Sequence, residues 1–567
     1  MRIIMKIKIN GMDIEVRHAD TILEAALRNG IDVPNLCYDP DLAPNGSCRM
    51  CICEVNGRLM TACNTFVEEN MVVETESERV VSSRKMNIEL LLARADERSN
   101  DKLLELKEKY GVDCSRFSLA DENARKDESS LSVVRDSSKC ILCGKCVNKC
   151  QQTQNVNAIC FRGRGSDLRV GTAFDVLLDD TVCVDCGQCV LACPSGALSE
   201  RDDILKVRAV IKDPLKHVVV QTAPAIRASI GEEFGMAAGT LVTKKLVGCL
   251  KTIGFDTVFD TDFGADLTIV EESREFIERI TCTGVLPLFT SCCPAWVKYV
   301  ELFYPEFIDN LSSCKSPHQM EGAMAKSYYA EKKGIKRENI VVVSIMPCTA
   351  KKYECSRPEL SVDGCADVDF VLTTREIARF MKQEGVDLND ACECEYDDPL
   401  GESSGAGTIF GATGGVMEAA LRTAYEEVTG SGVTDFEFNQ IRGLSGIKEG
   451  EIIMKGKTYY FAVVHGLFNA GKLMEMLKGG KKCKYHFIEV MACPGGCIGG
   501  GGQPRPTDDE IRKKRIEALY DEDRMQQFRK SHENPSIKKI YEEFLCKPLS
   551  EKSYMLLHTK YSRRKIG

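Results

Sequence analysis

A pair of adjacent cysteines, Cys292 and Cys293, carries the chemistry around which this sequence is organised. The pair follows an apolar run and precedes Pro294, so the pattern predicts a strand that ends in a rigid turn. Because neighbouring side chains on an extended segment point in opposite directions, the two thiols are expected to have different roles.

Three further cysteines stand in similar settings. Cys348 follows one apolar strand, and Cys493 and Cys497 follow another. Strand ends that bring four thiolates together would form a soft, buried sulfur site. Such a site suits an iron–sulfur cluster better than a hard cation.

The three segments TSCCPAW, MPCTAKK and EVMACPGGCIGGGGQP resemble the signatures of the iron-only (FeFe) hydrogenases. The resemblance implies an H-cluster, in which a 4Fe-4S cubane is joined through one cysteine to a two-iron unit with carbon monoxide, cyanide and a dithiolate. It assigns the cubane to Cys293, Cys348, Cys493 and Cys497, with Cys497 as the bridge. It leaves Cys292 free as the last proton donor.

Two copies of the run C-x2-C-x2-C-x3-C give the most specific signal in the chain. In such runs the fourth cysteine ligates the other cluster, so two 4Fe-4S clusters are expected. One would be held by Cys140, Cys143, Cys146 and Cys193, and the other by Cys150, Cys183, Cys186 and Cys189.

Four more cysteines lie near the N-terminus with the spacing C-x10-C-x2-C-x11-C, after a predicted hairpin at Lys6–Val16. They resemble the 2Fe-2S domains of long hydrogenases and of a respiratory complex I subunit. A zinc site with the same thiols is the alternative, and the neighbouring cluster motifs favour 2Fe-2S. The ligands would be Cys37, Cys48, Cys51 and Cys63, whereas Cys53 is expected in the core.

Residues 82–130 are highly charged and are predicted to be helical, with one cysteine and no histidine. The longest members of the family hold an extra 4Fe-4S cluster here through one histidine and three cysteines, which this segment cannot supply. The route from the 2Fe-2S domain inward therefore loses one stepping stone. Two interpretations stay open: a shorter segment brings the clusters closer together, or a mobile N-terminal domain docks intermittently.

The resemblance also implies the residues around the two-iron unit. A glycine-rich run at Phe410 would line this unit, and a nucleotide-binding loop with an incomplete fingerprint is the alternative. Met346 and Met491 would pack over the iron, although the sequence alone favours ordinary core filling. Cyanide contacts would come from the backbone of Ala223, Pro224 and Ala225 and from the ammonium of Lys351.

A proton relay is implied as well. An amphipathic helix predicted at Leu267–Ile280 carries two glutamates and an arginine on one face. By resemblance, protons would pass from Arg279 at the entrance through Glu275, Ser312 and Glu272 to Cys292.

Two residues depart from the best-known members of the family. Ala295 stands where they have glycine, and His318 where they usually have glutamine. His318 is expected near the cluster and could titrate near neutral pH. These departures bear on rate and direction of turnover, not on reaction class.

The composition of the chain limits the possible classes of protein and partner. The chain has 567 residues, 43% of them hydrophobic, and a net charge of −9, which argues against nucleic acid as a partner. The opening residues lack the apolar core of a signal peptide, and no run is long enough to span a bilayer, so a cytoplasmic protein is expected.

The predicted architecture is an α/β catalytic domain of two lobes with mostly parallel sheets, preceded by a β-grasp 2Fe-2S domain and a ferredoxin-like domain with two 4Fe-4S clusters. The predicted boundaries are 1–80 for the 2Fe-2S domain, 81–134 for a helical linker, 135–205 for the ferredoxin-like domain, 206–506 for the H-cluster domain, and 507–567 for a segment that some relatives encode as a separate small subunit.

The resemblance implies a hydrogenase that interconverts protons and dihydrogen with electrons from a ferredoxin or flavodoxin-like carrier, after maturation proteins have inserted the two-iron unit. A non-catalytic relative, like the eukaryotic iron–sulfur assembly proteins, is one alternative. A hydrogen sensor of low turnover is another. Retention of Cys292, Lys351 and Cys497 favours the enzyme.

Overall fold

The computed structural model describes residues 4–95, 100–117, 125–282, 284–431, 438–479 and 483–564. The first of these ranges contains a five-stranded β-grasp sheet packed on the helix Ile22–Arg28. Thr21 begins this helix with a capping box, because its hydroxyl accepts the N–H of Glu24 while the Glu24 carboxylate accepts the N–H of Thr21. The strands, in spatial order, are Met12–Arg17, Ile4–Ile9, Val72–Glu74, Ile52–Val55 and Arg58–Thr61.

Two helices, Glu78–Arg94 and Asp101–Tyr110, follow the β-grasp sheet, in agreement with the predicted helical character. Residues 96–99 and 118–124 of the predicted segment lie outside the described residues. Both helices contribute to one buried cluster that reaches from the N-terminal cysteines to the first ferredoxin-like cysteine run. This cluster includes Cys37, Cys48, Ile88, Leu103, Ile141 and Cys143.

The ferredoxin-like domain is built on short elements around its two cysteine runs. The helices Lys145–Asn148 and Gln188–Ala192 each start at a glycine with a left-handed backbone, which turns the preceding loop sharply around the thiols. The strands are Lys126–Asp127, Val133–Asp136 and Leu198–Glu200 in one sheet, and Cys160–Arg162 with Arg169–Gly171 in another.

The catalytic region consists of two four-stranded sheets. The first is entirely parallel, with the spatial order Thr257–Asp260, His217–Thr222, Ile340–Met346 and Phe370–Thr373. In the second, Leu288–Phe289, Tyr485–Met491 and Lys457–His465 are parallel, and Ile447–Met454 is an antiparallel edge strand. The sheets are therefore mostly parallel, as predicted.

Helices cover both sheets, because fully buried parallel strands need cover on each face. The main helices are Ile204–Ile211, Thr243–Ile253, Thr261–Thr281, Pro294–Phe303, Pro317–Met324, Ala350–Glu354, Thr374–Gln383, Gly415–Thr429 and Leu467–Lys478. Shorter ones are Pro224–Arg227, Ala330–Lys333 and Gly405–Thr408. A two-stranded ribbon joins Ser361–Val362 and Cys365–Ala366.

The C-terminal residues wrap around the catalytic region with the helices Asp509–Met525, Pro535–Ile540 and Glu551–Leu557. The polar, mixed-charge sequence predicted surface helices that wrap the core at residues 535–545 and at the final LLHTKY. The structure corrects this, since Leu545, Leu556 and Leu557 are buried in the core around the first, entirely parallel sheet. Residues 557–559 also pair with residues 313–315 through hydrogen bonds from Lys315 N to Leu557 O and from Thr559 N to Ser313 O, both 2.8 Å long.

Candidate active site

A cavity of about 720 Å³ lies where the carboxyl ends of strands from both sheets meet. Open α/β sheets bind ligands at such strand ends because the loops there are free to carry functional groups. The cysteines of the three motifs line this one cavity: Cys292, Cys293, Cys348, Cys493 and Cys497.

The adjacent pair meets two different environments, as the sequence predicted. Cys293 packs against the core that contains Trp296, and its sulfur accepts the N–H of Ala492 at 3.4 Å. Cys292 packs against the core that contains Phe410. Both nevertheless face the cavity, because the helix that starts at Pro294 turns the chain directly after them.

The other predicted wall residues also line the cavity. They are Ala223, Pro224, Ala225, His318, Met346, Lys351, Phe410 and Met491. The methionines, for which the sequence favoured core filling, are buried and also contribute to this wall. The backbone of Gly496 forms part of this wall. Its φ is +95°, and an added Cβ would lie only 2.7 Å from Thr413 N, so the position requires glycine.

Lys351 is held by a buried ion pair. Its ammonium donates to Glu354 at 3.0 Å and to Ser316 Oγ at 3.1 Å. Although burial alone would raise the pKa of the Glu354 carboxyl, Lys351 and then His318 outweigh it and lower that pKa to about 2. The same pair keeps the pKa of Lys351 above its usual value despite burial, so the lysine is a fixed cation.

His318 differs from its sequence prediction. Its Nε2 lies 2.6 Å from Glu354 and its Nδ1 lies 3.1 Å from Ser344 Oγ. Burial, followed by the nearby Lys351 charge, lowers the pKa of His318 to about 4. The imidazole is therefore neutral near pH 7 and does not titrate there.

The predicted relay residues form a continuous set. Arg279 donates to Glu275 Oε1 through Nε at 3.1 Å and through Nη2 at 2.6 Å. Ser312 donates to the other oxygen of Glu275 at 2.9 Å.

Glu272 lies at the inner end of this set, close enough to Cys292 in the cavity wall for its charge to affect that thiol. Ser312 also interacts with Glu272, and burial raises the pKa of Glu272 to about 8, so this carboxyl holds a proton at neutral pH. Burial, followed by the charge of Glu272, raises the pKa of Cys292 well above its usual value. A neutral carboxylic acid beside a neutral thiol is suited to passing protons.

Two smaller cavities lie in the ferredoxin-like domain, and each is lined by one predicted set of thiols. The first, of about 430 Å³, has Cys140, Cys143, Cys146 and Cys193 in its wall. The second, of about 440 Å³, has Cys150, Cys183, Cys186 and Cys189. The fourth cysteine of each run thus crosses to the other site.

The three sites are joined by direct contacts. The second small cavity adjoins the main one, because Gln188 donates to the carbonyl of Gly499 at 2.9 Å and Thr349 donates to that of Asp185 at 2.7 Å. Gly501 is also packed against the carbonyl of Cys186.

The N-terminal thiols form a compact group, in which Cys37 lies next to Cys48 and Cys63, and Cys51 lies next to Cys63. Their loop packs on the ferredoxin-like domain, where Asn45 and Ser47 donate to the carbonyl of Cys143 at 3.0 and 3.1 Å. Of the two arrangements that the sequence left open, the structure shows the close one. The loop of the 2Fe-2S site directly contacts Cys143 of the first 4Fe-4S site.

The comparisons with known proteins agree with this geometry. The family described as "Iron only hydrogenase large subunit, C-terminal domain" matches residues 216–501, and "Iron hydrogenase small subunit" matches residues 509–564. A 2Fe-2S iron-sulfur cluster binding domain matches residues 4–78, and a 4Fe-4S dicluster domain matches residues 139–197.

Similar proteins cover the whole chain. The NADP-reducing hydrogenase subunit HndD of Solidesulfovibrio fructosivorans is 47% identical over 99% of both chains. Iron hydrogenase 1 of Clostridium pasteurianum is 42% identical over 98% of this chain and 99% of its own. This chain belongs to the iron-only hydrogenase family.

A solved structure extends the likeness to the fold. A single-residue variant of the apo FeFe hydrogenase HydA1 of Chlamydomonas reinhardtii is 44% identical to this hydrogenase and has a TM-score of 0.58, covering 64% of this chain and 99% of its own. The hydrogenase is therefore an oxidoreductase that carries a 2Fe-2S cluster, two 4Fe-4S clusters and the H-cluster. In the part of the chain that the structure describes, no helix is both long and apolar enough to cross a membrane.

The donor set of the main cavity fits the H-cluster. Burial raises the pKa of Cys348 and of Cys497 to about 12, so neither thiol would ionise unaided at neutral pH. Positively charged iron offsets that penalty, which makes four buried thiols a metal site rather than a set of free thiolates. Lys351 adds a fixed cation beside the place that an anionic two-iron unit would take.

Sequence reasoning missed several residues of the hydrogenase site. Glu354 and Ser316, which hold Lys351, were not singled out, nor was Thr261 in the cavity wall. Glu354 stands three residues after Lys351 on one helix, and this spacing was a usable signal for an ion pair. Thr261 reaches the cavity from a distant strand end, which no local pattern reveals.

Proposed function

We propose that this hydrogenase catalyses the reversible reduction of protons to dihydrogen in the cytoplasm, with electrons from ferredoxin or a flavodoxin-like carrier. The observation that carries the proposal is that two routes end at the same cavity. A series of three adjoining thiol sites reaches it from the N-terminal domain, and the set from Arg279 to Cys292 reaches it from the surface.

In this proposal the predicted residues keep the roles that the sequence suggested. Cys293, Cys348, Cys493 and Cys497 hold the cubane, and Lys351 orients the two-iron unit through a hydrogen bond. When bound, that unit supplies the chemistry that combines protons with electrons. Cys292 delivers the proton, and Glu272, which burial keeps protonated, restores it.

The protein's part is to position, to exclude water and to carry protons. The cavity wall is largely apolar, with Phe410, Met346 and Met491 around the thiols. An apolar wall strengthens the charge of Lys351 at the site because little solvent screens it. The fixed ion pair to Glu354 prevents this lysine from turning away.

A second candidate concerns the electron carrier. A relative that matches this chain along nearly its whole length is described as a subunit of an NADP-reducing hydrogenase. Under this candidate the chain would work within a larger assembly that exchanges electrons with NADP. The glycine-rich run at 405–415 supports no nucleotide site, because it lines the sulfur cavity through Phe410 and Gly411.

One experiment tests the proposal. The chain is produced together with the maturation proteins for the two-iron unit, and dihydrogen evolution is measured with reduced ferredoxin, a reduced flavodoxin, or NADPH. Evolution with a reduced protein carrier supports the first candidate, and evolution with NADPH only when partner subunits are added supports the second. Infrared bands of carbon monoxide and cyanide without turnover would overturn both and favour a sensor. Absence of those bands from the matured protein would favour a non-catalytic relative.

A further inference from the structure

The outer end of the proton route raises a physical question. Glu275 is bound by Arg279, whose guanidinium keeps its protons under all conditions in proteins. Arg279 can therefore orient Glu275 but cannot give it a proton. A group that gains and loses protons must stand elsewhere around this carboxylate.

The structure brings such a group to Glu275 from the C-terminal residues. Ser313 Oγ lies 3.2 Å from Glu275 Oε2 and 2.8 Å from Nδ1 of His558. Pairing of residues 557–559 with residues 313–315 places His558 opposite Cys314, next to this serine. Sequence analysis assigned no chemistry to either residue.

The far side of the imidazole is fixed by a second buried carboxylate. His558 Nε2 lies 3.2 Å from Glu271, which also accepts hydrogen bonds from Tyr541 at 2.5 Å, from Leu549 N at 2.9 Å and from Ser553. Because Glu271 acts as an acceptor for three other donors, Nε2 is assigned as the ring nitrogen that donates to it. Nδ1 is then the ring nitrogen that exchanges a proton with Ser313.

We propose that His558 is a proton donor to the relay and reaches Glu275 through Ser313. The Nδ1–H bond of the imidazolium breaks as that proton passes to Ser313 Oγ. The former hydroxyl proton of Ser313 passes to Glu275 Oε2, which leaves a neutral imidazole, a hydroxyl and a carboxylic acid. A proton from solvent must then return to Nδ1 to restore the imidazolium. His558 itself is buried, and its ring packs on the exposed ring of Tyr554 at a ring distance of 4.4 Å.

Four titratable groups face His558 from the elements around it. They are Glu271 and Glu275 on the helix Thr261–Thr281, Cys314 on the paired segment, and Tyr554 on the preceding helical turn. Two of them are carboxyl groups, and Ser313 connects the imidazole to that of Glu275.

The test rests on the proposed function for turnover, and a second readout is independent of it. In dihydrogen evolution at about pH 8, His558→Gln and Ser313→Ala are each expected to slow turnover roughly tenfold, with a smaller loss at acid pH where solvent protons are plentiful. Because the two residues act in series, the double variant is expected to be no slower than either single variant. His532→Gln, the same substitution in the same C-terminal region beside Glu426 and Thr423, is the matched control and leaves the rate unchanged.

The second readout is the pH-difference infrared spectrum of the protein with its iron–sulfur clusters but without the two-iron unit. The carboxyl band that Glu275→Gln removes is expected to shift in both His558→Gln and Ser313→Ala. An unshifted band in Ser313→Ala, equal slowing of turnover at every pH, or additive losses in the double variant would each overturn the inference. A band shift in both variants, together with a parent protein that evolves no dihydrogen, would refute the proposed function alone.

Discussion

Cys292 and Cys293 are neighbours in sequence but differ in chemistry because burial and partners differ. The Cys293 sulfur receives a backbone N–H, as expected for a thiolate that ligates iron. The Cys292 thiol lies in an apolar, acidic setting that favours its protonated form. One side chain is thus suited to holding metal and the other to carrying a proton.

Replacement of Cys292 by alanine tests this division. We expect Cys292→Ala to keep its iron content and to lose at least about a hundredfold in dihydrogen evolution, because the last proton donor is gone. Iron analysis and gas chromatography measure the two quantities. Cys249→Ala, a truncation of a buried thiol in the core around the first, entirely parallel sheet, is the control and should keep its turnover. Full activity of Cys292→Ala would remove this residue from the relay.

Glu272 gives a prediction in pH. Its pKa is raised from 4.5 to about 8 by burial, so the protonated form is favoured in the folded protein, and the stability it provides is lost as pH rises towards about 8. Glu272→Gln keeps a neutral side chain, and its melting temperature is therefore expected to fall less between about pH 5 and pH 8 than that of the parent.

Turnover provides the complementary measurement for Glu272. In the parent, dihydrogen evolution is expected to decline as pH rises through about 8, where this carboxyl loses its proton. Glu272→Gln is expected to be slow at every pH because an amide does not relay protons. If the melting temperatures of Glu272→Gln and of the parent fell equally between about pH 5 and pH 8, this would contradict the effect of burial on the pKa of Glu272.

At the scale of elements, the helix Thr261–Thr281 shows what the sequence could and could not predict. Its amphipathic period was visible from Leu267 onward, but the first turn was missed because Asp262 and Asp266 look like solvent-exposed residues. They are buried because Arg227 pairs with Asp262 and Ser404 donates to Asp266. Those partners come from distant segments, which periodicity does not register.

This dependence on distant partners also explains which parts of the site the sequence could and could not predict. Cysteine spacing predicted the two thiol sets of the ferredoxin-like domain, because ligand spacing is local within each run, whereas the set of the main cavity was assigned by resemblance. The docking of the N-terminal domain and the position of His558 depend on tertiary contacts between segments far apart in sequence. No motif encodes them.

The docking of the 2Fe-2S domain is itself testable. Asp41 binds Lys149 at 3.0 Å and Arg512 at 2.8 Å, and it thereby ties this domain to two others. Asp41→Ala is expected to weaken docking by about 2 kcal/mol, since two largely buried cations lose a partner. Limited proteolysis between the domains should then release the N-terminal fragment faster. Asp13→Ala, which removes an exposed partner of Lys8 on the same domain, is the control, and equal cleavage of both variants would contradict the role of Asp41.

At the scale of the whole molecule, the C-terminal residues are bound to the catalytic region by buried charge. Asp523 accepts two hydrogen bonds from Arg422, at 2.9 and 3.0 Å, and one from Arg529 at 2.7 Å. Such a pair is costly to break from one side, because the remaining charge stays buried. The wrapped segment is therefore an integral part of the enzyme.

Asp523→Ala is expected to destabilise the protein by about 2 kcal/mol, because the buried Arg422 loses one carboxylate partner and keeps the other, Glu418. The measurement is the urea concentration at the midpoint of unfolding, monitored through a signal from the C-terminal helices. Asp521 lies two residues before Asp523 and forms an exposed pair with Arg524. Asp521→Ala disrupts that pair and should leave the midpoint unchanged. A midpoint for Asp523→Ala equal to that of this control would show that the buried pair does not anchor the segment.

The pairing between residues 313–315 and 557–559 is made within a single polypeptide. The two sides meet at an effective concentration that the chain itself sets, whatever the amount of enzyme present. An assembly of two separate chains loses its partner by mass action when it is diluted. Here specific activity is expected to stay constant on dilution, because every molecule carries both sides of this pairing.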